Sequence, residues 1–387
     1  MTRFAFVTWD GGGNLPPAIG IAQELAARGH SVRFLGYETQ RADFEARGFD
    51  LAVLRRSGGF DSFAASLPPE QRLAAVIRNV WACPEHLQDI PDALVEHPAD
   101  VLVVDFSLNG ALAFASQARM PVAVLAHSGI GALVPPPESP MGAARLTASN
   151  ELRATAGLPR IDRLNQGWDG LLTLVTTIPE LDPAAAAAAE TVRYVGPIRE
   201  HIPETSWDSP WRPDDTRPLV LVAFSTTKFW DKRGRIENTL AALADEPVRV
   251  LLATGEPPYA GPLPPNATAQ QFVPHETVLP AAALMVTHCG HGTVTACLEH
   301  GVPIVGLPNP VADQPFLAAR IQELGAGIAL DGESGAEAIR TAVRDVLSQA
   351  SYKEAARGLG TTIRNMPGAI GAATELEHLA LAGSRLG

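Results

Sequence analysis

Apolar runs alternate with helical periodicity along the first half of the chain. The run RFAFVTW at 3–9 precedes the turn-forming letters DGGGNLPP, the helical pattern AIGIAQELAARGH and a second apolar run, SVRFLG. The letters ADVLVVDF, LNGALAFASQAR and MPVAVLAHS repeat the order of strand, helix and strand. Strand and helix patterns in alternation are typical of βαβ units, so they predict a parallel sheet.

The alternation restarts after a polar stretch. The letters REHIPETSWDSPWRPDDTRP have no apolar period and are typical of an interdomain linker. Beyond them, LVLVAFS, VRVLLATG, ALMVTH and VPIVGLP predict strands, while GRIENTLAALAD and GTVTACLEHG predict helices. We therefore expect two α/β domains, 1–200 and 218–365, joined by a linker at 201–217. Ligands bind at the carboxyl ends of parallel strands, so the loops there should line a cleft between the domains.

Composition narrows the class of protein. The 387 residues are 46% hydrophobic, which is enough for two cores. A formal net charge of −12 disfavours nucleic acid and anionic membranes as partners. No apolar run reaches membrane-spanning length, and the first residues predict a strand and not a secretion signal. We expect a cytoplasmic protein without membrane insertion, and the sequence leaves a homodimer open.

The stretch from 287 to 315, THCGHGTVTACLEHGVPIVGLPNPVADQP, combines polar groups with a helix start. A strand ends at His288, GHGT forms a turn, and a helix begins near Thr293. The first N–H groups of a helix lack internal partners, and Gly290 and Gly292 let the backbone approach an anion closely. His288 and the Thr293 hydroxyl can add hydrogen bonds. This arrangement suits a phosphate or diphosphate. A tight turn before an ordinary helix that binds no ligand would give a similar sequence pattern.

A carboxylate and an amide follow the next predicted strand. Asp313 and Gln314 suit the hydroxyl groups of a sugar. A ligand that carries a diphosphate next to a polyol is a nucleotide sugar, so the two sites together predict a nucleotide-sugar ligand.

The box HCGHGTVTACLEHGVPIVGLPNPVADQP resembles the donor-binding box of family 1 nucleotide-sugar glycosyltransferases, including the bacterial macrolide and antibiotic enzymes. GHSVRFLG, ADVLVVDFSLNGALAFA, VRYVGPI, VLVAFSTT and QQFVPHETVLPAAALMVTHCGHGT resemble other parts of this family, so the resemblance spans nearly the whole chain. It implies the B-type fold, in which two Rossmann-like domains face each other across a cleft. The N-terminal domain would bind the acceptor and the C-terminal domain the donor, and a helix at 366–387 would cross back to the N-terminal domain.

The resemblance also implies roles for residues of the donor site. The residues in question are His288, Gly292 and Thr293 for the diphosphate, Ser225 and Thr226 for the opposing phosphate loop, Phe272 and Val273 for the base, and Asp313 and Gln314 for the sugar. The loop PNPVADQ is one residue longer than usual. Ala296 stands where plant members carry a Glu that binds the ribose hydroxyls, which favours dTDP over UDP.

The general base departs from the family pattern. Such enzymes invert the anomeric centre by direct displacement, with a His or Asp after the first strand as base. Here those positions fall on Gly12 and Asn14, neither of which can accept a proton. We therefore consider three candidate bases, each with a simpler reading: Asp10 (a turn residue), Asp105 (a helix-capping residue) and His127 (a core histidine).

Acceptor contacts are expected from 55–90 and 130–170, where such enzymes vary. The candidate residues are Phe60, Phe63, Trp81, Met141 and Trp168 for apolar walls, any of which can instead be core, together with Asn14 and His291.

The function expected is metal-independent, inverting transfer of a sugar from a dTDP- or UDP-sugar to a hydroxyl of an apolar natural product. The nucleotide sugar is a co-substrate, and no cofactor is expected. Three alternatives stay open: a C-glycosyltransferase acting on an aromatic acceptor, a nucleotide-sugar epimerase, and a non-catalytic nucleotide-sugar-binding homologue.

Overall fold

The structure is a computed structural model that describes residues 1–62, 69–201, 207–225, 231–310 and 313–383. The chain divides into two compact units. Unit 1 comprises Met1–His201 with Pro367–Gly387, and unit 2 comprises Ile202–Met366. None of the described helices is long and apolar enough to cross a membrane.

Unit 1 is a parallel sheet with helices between its strands. Its first elements are β1 (Arg3–Val7), α1 (Leu15–Ala27), β2 (Ser31–Gly36), α2 (Arg41–Ala46), β3 (Asp50–Val53), α3 (Pro69–Val76), α4 (His86–Glu96), β4 (Val101–Asp105), α5 (Asn109–Ala115), β5 (Val122–Ala126), α6 (Ile130–Leu133), α7 (Pro140–Thr155), β6 (Leu172–Val175) and β7 (Val192–Tyr194). The described strands follow the order β3-β2-β1-β4-β5-β6-β7, and each neighbouring pair is parallel. The central strands β4 and β5 are buried along their whole length, as expected for a parallel sheet covered by helices.

Unit 2 repeats this architecture. Its elements are β8 (Leu219–Ala223), α8 (Arg233–Leu243), β9 (Arg249–Ala253), β10 (Ala267–Gln270), α9 (His275–Val278), β11 (Ala282–Thr287), α10 (His291–Glu299), β12 (Ile304–Gly306), α11 (Gln314–Glu323), β13 (Gly327–Ala329), α12 (Ala336–Ser348) and α13 (Ala350–Asn365). The described strands follow the order β10-β9-β8-β11-β12-β13, again with parallel neighbours. The prediction of two parallel α/β sheets is confirmed.

The last helix, α14 (Gly368–Gly383), packs on unit 1. Its apolar side chains Ala372, Ala373 and Leu376 lie in the core beneath α1. The Gly368 N–H donates to the Val195 carbonyl at 2.7 Å, which fixes the start of the helix beside the end of β7.

The first turn of unit 1 differs in detail from the sequence pattern. β1 ends at Val7, two residues before the apolar run ends, and α1 begins at Leu15. The expected helix start was Ala18, but a proline is tolerated in the first turn, where its missing N–H has no partner to lose. Pro16 and Pro17 therefore belong to the helix, which leaves a connection of only seven residues, 8–14, after β1.

Candidate functional site

The start of α10 has a glycine as its N-cap. Gly290 has no side chain that could accept hydrogen bonds from the first N–H groups of this helix. A Cβ built at Gly292 would meet nothing within 4 Å, so the space in front of this turn is open. The first N–H groups of a helix carry partial positive charge, so this turn can bind an anion. His291 and Thr293, the first and third residues of the helix, are half-buried at the same turn.

His288 lies against the N-cap of α10 as a neutral ring. Its side chain is buried, and a Cβ built at Gly290 would come within 2.8 Å of Nε2, so the ring needs a glycine there. Burial lowers the pKa of His288 to about 4, and the charges of Arg235 and Lys232 lower it further, against the opposing effect of the Ala223 carbonyl. At neutral pH His288 therefore offers a hydrogen bond and not a positive charge.

Two residues beside this turn have left-handed backbones. Cys289 has φ of 61° and Ser225, which follows β8, has φ of 75°. Such conformations in residues other than glycine cost about 1–3 kcal/mol and cluster at functional sites. Lys232 connects Ser225 with the segment after β9, because its buried ammonium donates to the carbonyls of Ser225 at 3.2 Å and Glu256 at 2.9 Å. Thr226 lies outside the described residues.

Asp313 and Gln314 are both buried at the start of α11. The Gln314 Oε1 atom accepts hydrogen bonds from the Asn309 N–H at 3.0 Å and the Asn309 Nδ2 at 2.8 Å. Asn309 in turn accepts a hydrogen bond from the Arg235 guanidinium. The carbonyl end of Gln314 thus braces the loop after β12, which leaves less of this amide for sugar hydroxyls than the sequence suggested.

The base-binding residues expected from the sequence differ in exposure. Phe272 is 66% exposed, whereas Val273 is 3% exposed. The Phe272 ring and the local backbone are therefore the groups available to a planar base, while the Val273 side chain belongs to the core.

The turn after β1 is held by Asn14. Its Nδ2 atom donates to Asp105 Oδ2 at 2.8 Å and to the Trp9 carbonyl at 3.0 Å, and its Oδ1 atom accepts from the Gly11 N–H at 3.1 Å. Asn14 is 2% exposed. The sequence suggested acceptor contact for this residue, but its burial and its bonds favour a bracing role.

The Asp105 carboxylate accepts three hydrogen bonds, two from Ser107 and one from Asn14. Oδ1 accepts hydrogen bonds from the Ser107 N–H at 2.9 Å and the Ser107 hydroxyl, and Oδ2 accepts from Asn14. The Ser107 oxygen also accepts a hydrogen bond from Trp9 Nε1 at 2.8 Å. Asp105 is 5% exposed, so it anchors the turn and is poorly placed to meet a substrate directly.

Asp10 lies on the same turn and is only half-buried. Burial raises its pKa, and the negative charges of Asp43 and Asp61 act in the same direction, against the hydrogen bond from the Gly12 N–H. A carboxylate with a raised pKa is a stronger proton acceptor. Of the three candidate bases, Asp10 combines access with increased basicity.

His127 follows β5 and is half-buried. Its ring packs on Phe106 with centroids 5.4 Å apart, and its Nδ1 atom is buried without a hydrogen-bond partner among the described residues. This placement is compatible with a histidine packed in the core and with one whose Nδ1 atom forms a hydrogen bond with a bound ligand.

Four aromatic side chains of unit 1 pack in the same core cluster. We call Trp9, Trp81, Phe106 and Trp168 the aromatic cluster; Trp9 and Trp81 meet edge to face at 5.9 Å, and Phe106 and Trp168 at 6.4 Å. Trp168 is 6% exposed and packs as core, whereas Trp81 is half-buried.

Two further expected acceptor residues are half-buried, and one lies outside the described residues. Phe60 packs against the core of unit 1, Met141 lies in the first turn of α7, and Phe63 falls in the undescribed segment. Part of the Phe60 and Met141 side chains is therefore exposed to solvent.

Comparison with known proteins identifies the relatives of this fold. Residues 236–379 match the family described as erythromycin biosynthesis protein CIII-like, C-terminal domain. The 4'-demethylrebeccamycin synthase of Lentzea aerocolonigenes is 29% identical over 395 residues, covering 91% of this chain and 93% of the relative. The demethyllactenocin mycarosyltransferase of Streptomyces fradiae is 29% identical over 407 residues, covering 98% and 87%. A solved calicheamicin glycosyltransferase superposes with a TM-score of 0.77 at 25% identity, covering 98% of each chain.

The chain is a glycosyltransferase, similar to enzymes of antibiotic pathways. A second solved structure, the glycosyltransferase of kitacinnamycin, shares the fold with a TM-score of 0.80 at 24% identity, covering 98% of this chain and 99% of the other. The resemblance noted in the sequence is confirmed, and so are the fold class and the prediction of a glycosyltransferase. An epimerase and a non-catalytic binding protein are disfavoured accordingly.

Several supporting residues of this glycosyltransferase were missed in the sequence. Asn309, Lys232 and Ser107 hold the loops at strand ends, and Arg145 lies beside the aromatic cluster. Asn309 and Ser107 carried a usable signal, because each is a polar residue within three positions of a strand end. Lys232 and Arg145 carried none, since their partners depend on loop paths that no local pattern specifies.

Proposed function

We propose that this glycosyltransferase moves a sugar from a dTDP- or UDP-sugar to a hydroxyl of an apolar natural-product acceptor in the cytoplasm. In this proposal unit 2 binds the nucleotide sugar, unit 1 binds the acceptor, and the anomeric centre is inverted without a metal ion. The observation that carries the proposal is the first turn of α10, whose N-cap is Gly290, with the neutral His288 against that N-cap.

The leaving diphosphate would be stabilised by that turn. The N–H groups of Gly292 and Thr293 point from a fixed helix end, so little reorganisation is needed when negative charge develops. His288 would add a neutral hydrogen bond. Ala296 is buried on α10 and offers no acceptor to a ribose 2′-hydroxyl, which supports dTDP over UDP.

Asp10 would be the general base. It would accept the proton of the acceptor hydroxyl as the oxygen attacks the anomeric carbon, while the bond to the diphosphate breaks on the opposite face. Asp105, bonded to Asn14 and Ser107, would position the turn that carries Asp10. In this assignment Asp105 is a positioning residue, and His127 is the alternative base.

A thermal-shift panel tests the donor assignment. A ligand that binds only the folded protein stabilises it by RT ln(1 + [L]/Kd), which is about 2.7 kcal/mol at a hundredfold excess over Kd. We expect dTDP and UDP to raise the midpoint of unfolding, dTDP by more, and ADP and GDP to have little effect. Sugar transfer in the presence of EDTA would test metal independence. Equal shifts with all nucleotides, or none with dTDP and UDP, would overturn the donor assignment.

A further inference from the structure

A buried arginine stands beside the aromatic cluster of unit 1. Arg145 lies on α7 and is 6% exposed. Its Cζ atom is 4.6 Å from the ring centroid of Trp81 and 5.9 Å from that of Phe106. The guanidinium therefore lies against two aromatic rings.

The hydrogen bonds of Arg145 are incomplete among the described residues. Nη1 donates to the Leu133 carbonyl at 3.3 Å, and Nε is buried without a partner. Arg235, the comparable buried arginine of unit 2, donates instead to Gly332, Asn309 and Glu333. Two buried guanidinium groups in the same chain thus differ sharply in how well they are paired.

Arg145 also lacks a carboxylate partner of its own. No ion pair within 4.0 Å joins it to a described residue, and the carboxylate that influences it, Asp105, already accepts from Asn14 and Ser107. Burial lowers the pKa of Arg145 to about 10, so the group still carries its charge at neutral pH. A buried charge without a partner is unfavourable, so this arrangement is better satisfied when an anion is present.

Neighbouring donors are also without partners in the described part of the chain. Trp81 Nε1 and the hydroxyl of Ser149, one turn after Arg145 on α7, are both buried and unbonded. Contacts between a cation and an aromatic ring compensate part of the burial, but they leave the N–H groups in the guanidinium plane unused. The surroundings of Arg145 therefore supply donors and need acceptor oxygens.

We propose that the acceptor of this enzyme is an aromatic compound that carries a carboxylate, and that Arg145 pairs with this carboxylate while the rings of Trp81 and Phe106 contact the aromatic system. The planar guanidinium suits two parallel hydrogen bonds to a carboxylate. Trp81 Nε1 can donate to the same group. This proposal rests on the proposed function, in which unit 1 binds the acceptor.

The ligand-free protein provides a test that needs no acceptor. Arg145→Met keeps most of the side-chain volume and removes an unpaired charge, so we expect the midpoint of unfolding to stay or rise. Arg235→Met is the matched control and should lower the midpoint, because it removes the donor to Asn309 Oδ1 and to the Gly332 carbonyl. A fall for Arg145→Met as large as that for Arg235→Met would show a structural arginine and overturn the proposal.

Binding of 6-hydroxy-2-naphthoate and its methyl ester, measured by tryptophan fluorescence, tests the ligand class. We expect the parent to bind the acid at least tenfold more tightly than the ester, and Arg145→Met and Arg145→Gln to abolish this preference. An equal affinity, an unchanged preference in the variants, or no binding of the acid would overturn the carboxylate proposal. The dTDP affinity of each sample is measured in parallel, so failure of the donor assignment appears separately as loss of nucleotide binding.

Discussion

Asp10 and Asp105 lie on neighbouring strand ends of unit 1 but in different surroundings. Asp105 is enclosed by donors from Asn14 and Ser107, whereas Asp10 is half-buried near two other carboxylates. Carboxylates in unlike environments commonly take unlike roles. The surroundings of the two side chains therefore distinguish Asp10, the candidate base, from Asp105, the positioning residue. The sequence alone could not make this distinction.

Asp10→Asn should lower turnover of an aliphatic alcohol by about 10²–10⁴-fold, because the amide keeps the shape and removes the basicity. The KM for the nucleotide sugar should change little. Steady-state kinetics of product formation measure both quantities. A variant that turns over at the parental rate would instead support His127, which His127→Gln would then examine. An aliphatic acceptor is required, since an acidic phenol needs little help from a base.

The pH dependence of this reaction should reflect the raised pKa of Asp10. The base must be deprotonated to act, so kcat/KM should fall as pH decreases through that pKa. Because the pKa is raised, the fall should begin at a higher pH than for an ordinary aspartate. The Asp10→Asn variant should lose this acidic limb. If the limb persists in the variant, another group produces it.

The turn after β1 is the element on which this assignment depends. A Cβ at Gly11 would come within 2.8 Å of both Asn14 Oδ1 and the Trp9 ring, whereas a Cβ at Gly13 would meet nothing within 4 Å. Gly11→Ala should therefore destabilise the protein by about 1–3 kcal/mol and reduce activity. Gly13→Ala, the matched control, should do neither. Urea denaturation measures the difference, and equal effects of the two substitutions would contradict the observed turn.

The first turn of α10 allows a similar comparison between folding and binding. Gly292→Ala adds a methyl group in open space at a helical position, so stability should be kept or slightly increased. The same methyl group should hinder an anion at the turn and weaken dTDP binding. Calorimetric titration with dTDP gives the affinity. Undiminished affinity in a folded variant would place the diphosphate elsewhere.

The sequence predicted the elements better than it predicted the contacts. The strands RFAFV and AALMVT lie within apolar runs, and glycines follow both of them, so the existence of these strands and of the turns after them could be predicted. The bond between Asn14 and Asp105 joins residues 91 positions apart and depends on neighbouring strands β1 and β4. No local pattern encodes such a pair. Strand β13 has only three residues, and its pattern is too short to recognise.

At the scale of the whole molecule, a helix from the end of the chain completes unit 1. Glu377 on α14 accepts hydrogen bonds from Arg28 at 2.7 Å and pairs with His30 at 2.8 Å. Its hydrogen bonds with His30 and Arg28 lower the pKa of Glu377. Unit 1 is therefore built from two separate parts of the chain, Met1–His201 and Pro367–Gly387.

Glu377→Gln should destabilise the protein by about 1 kcal/mol, since the pair is partly exposed and hence screened. A lowered carboxylate pKa stabilises the folded state above the unfolded pKa, and the contribution is lost as pH falls through the folded value. The difference between parent and variant should therefore shrink in acid. Glu375→Gln, whose partner Arg193 lies 3.6 Å away, is the weaker control. An equal loss in both variants would contradict the role given to Glu377.

We propose above all that a nucleoside diphosphate binds at the first turn of α10. The most direct test is NMR titration of glycine-labelled protein with dTDP, following the backbone amide signals of Gly290 and Gly292. We expect both signals to shift with a single saturable affinity, while the Gly13 signal in unit 1 stays in place. Unshifted Gly290 and Gly292 signals at dTDP concentrations that saturate binding would contradict the account.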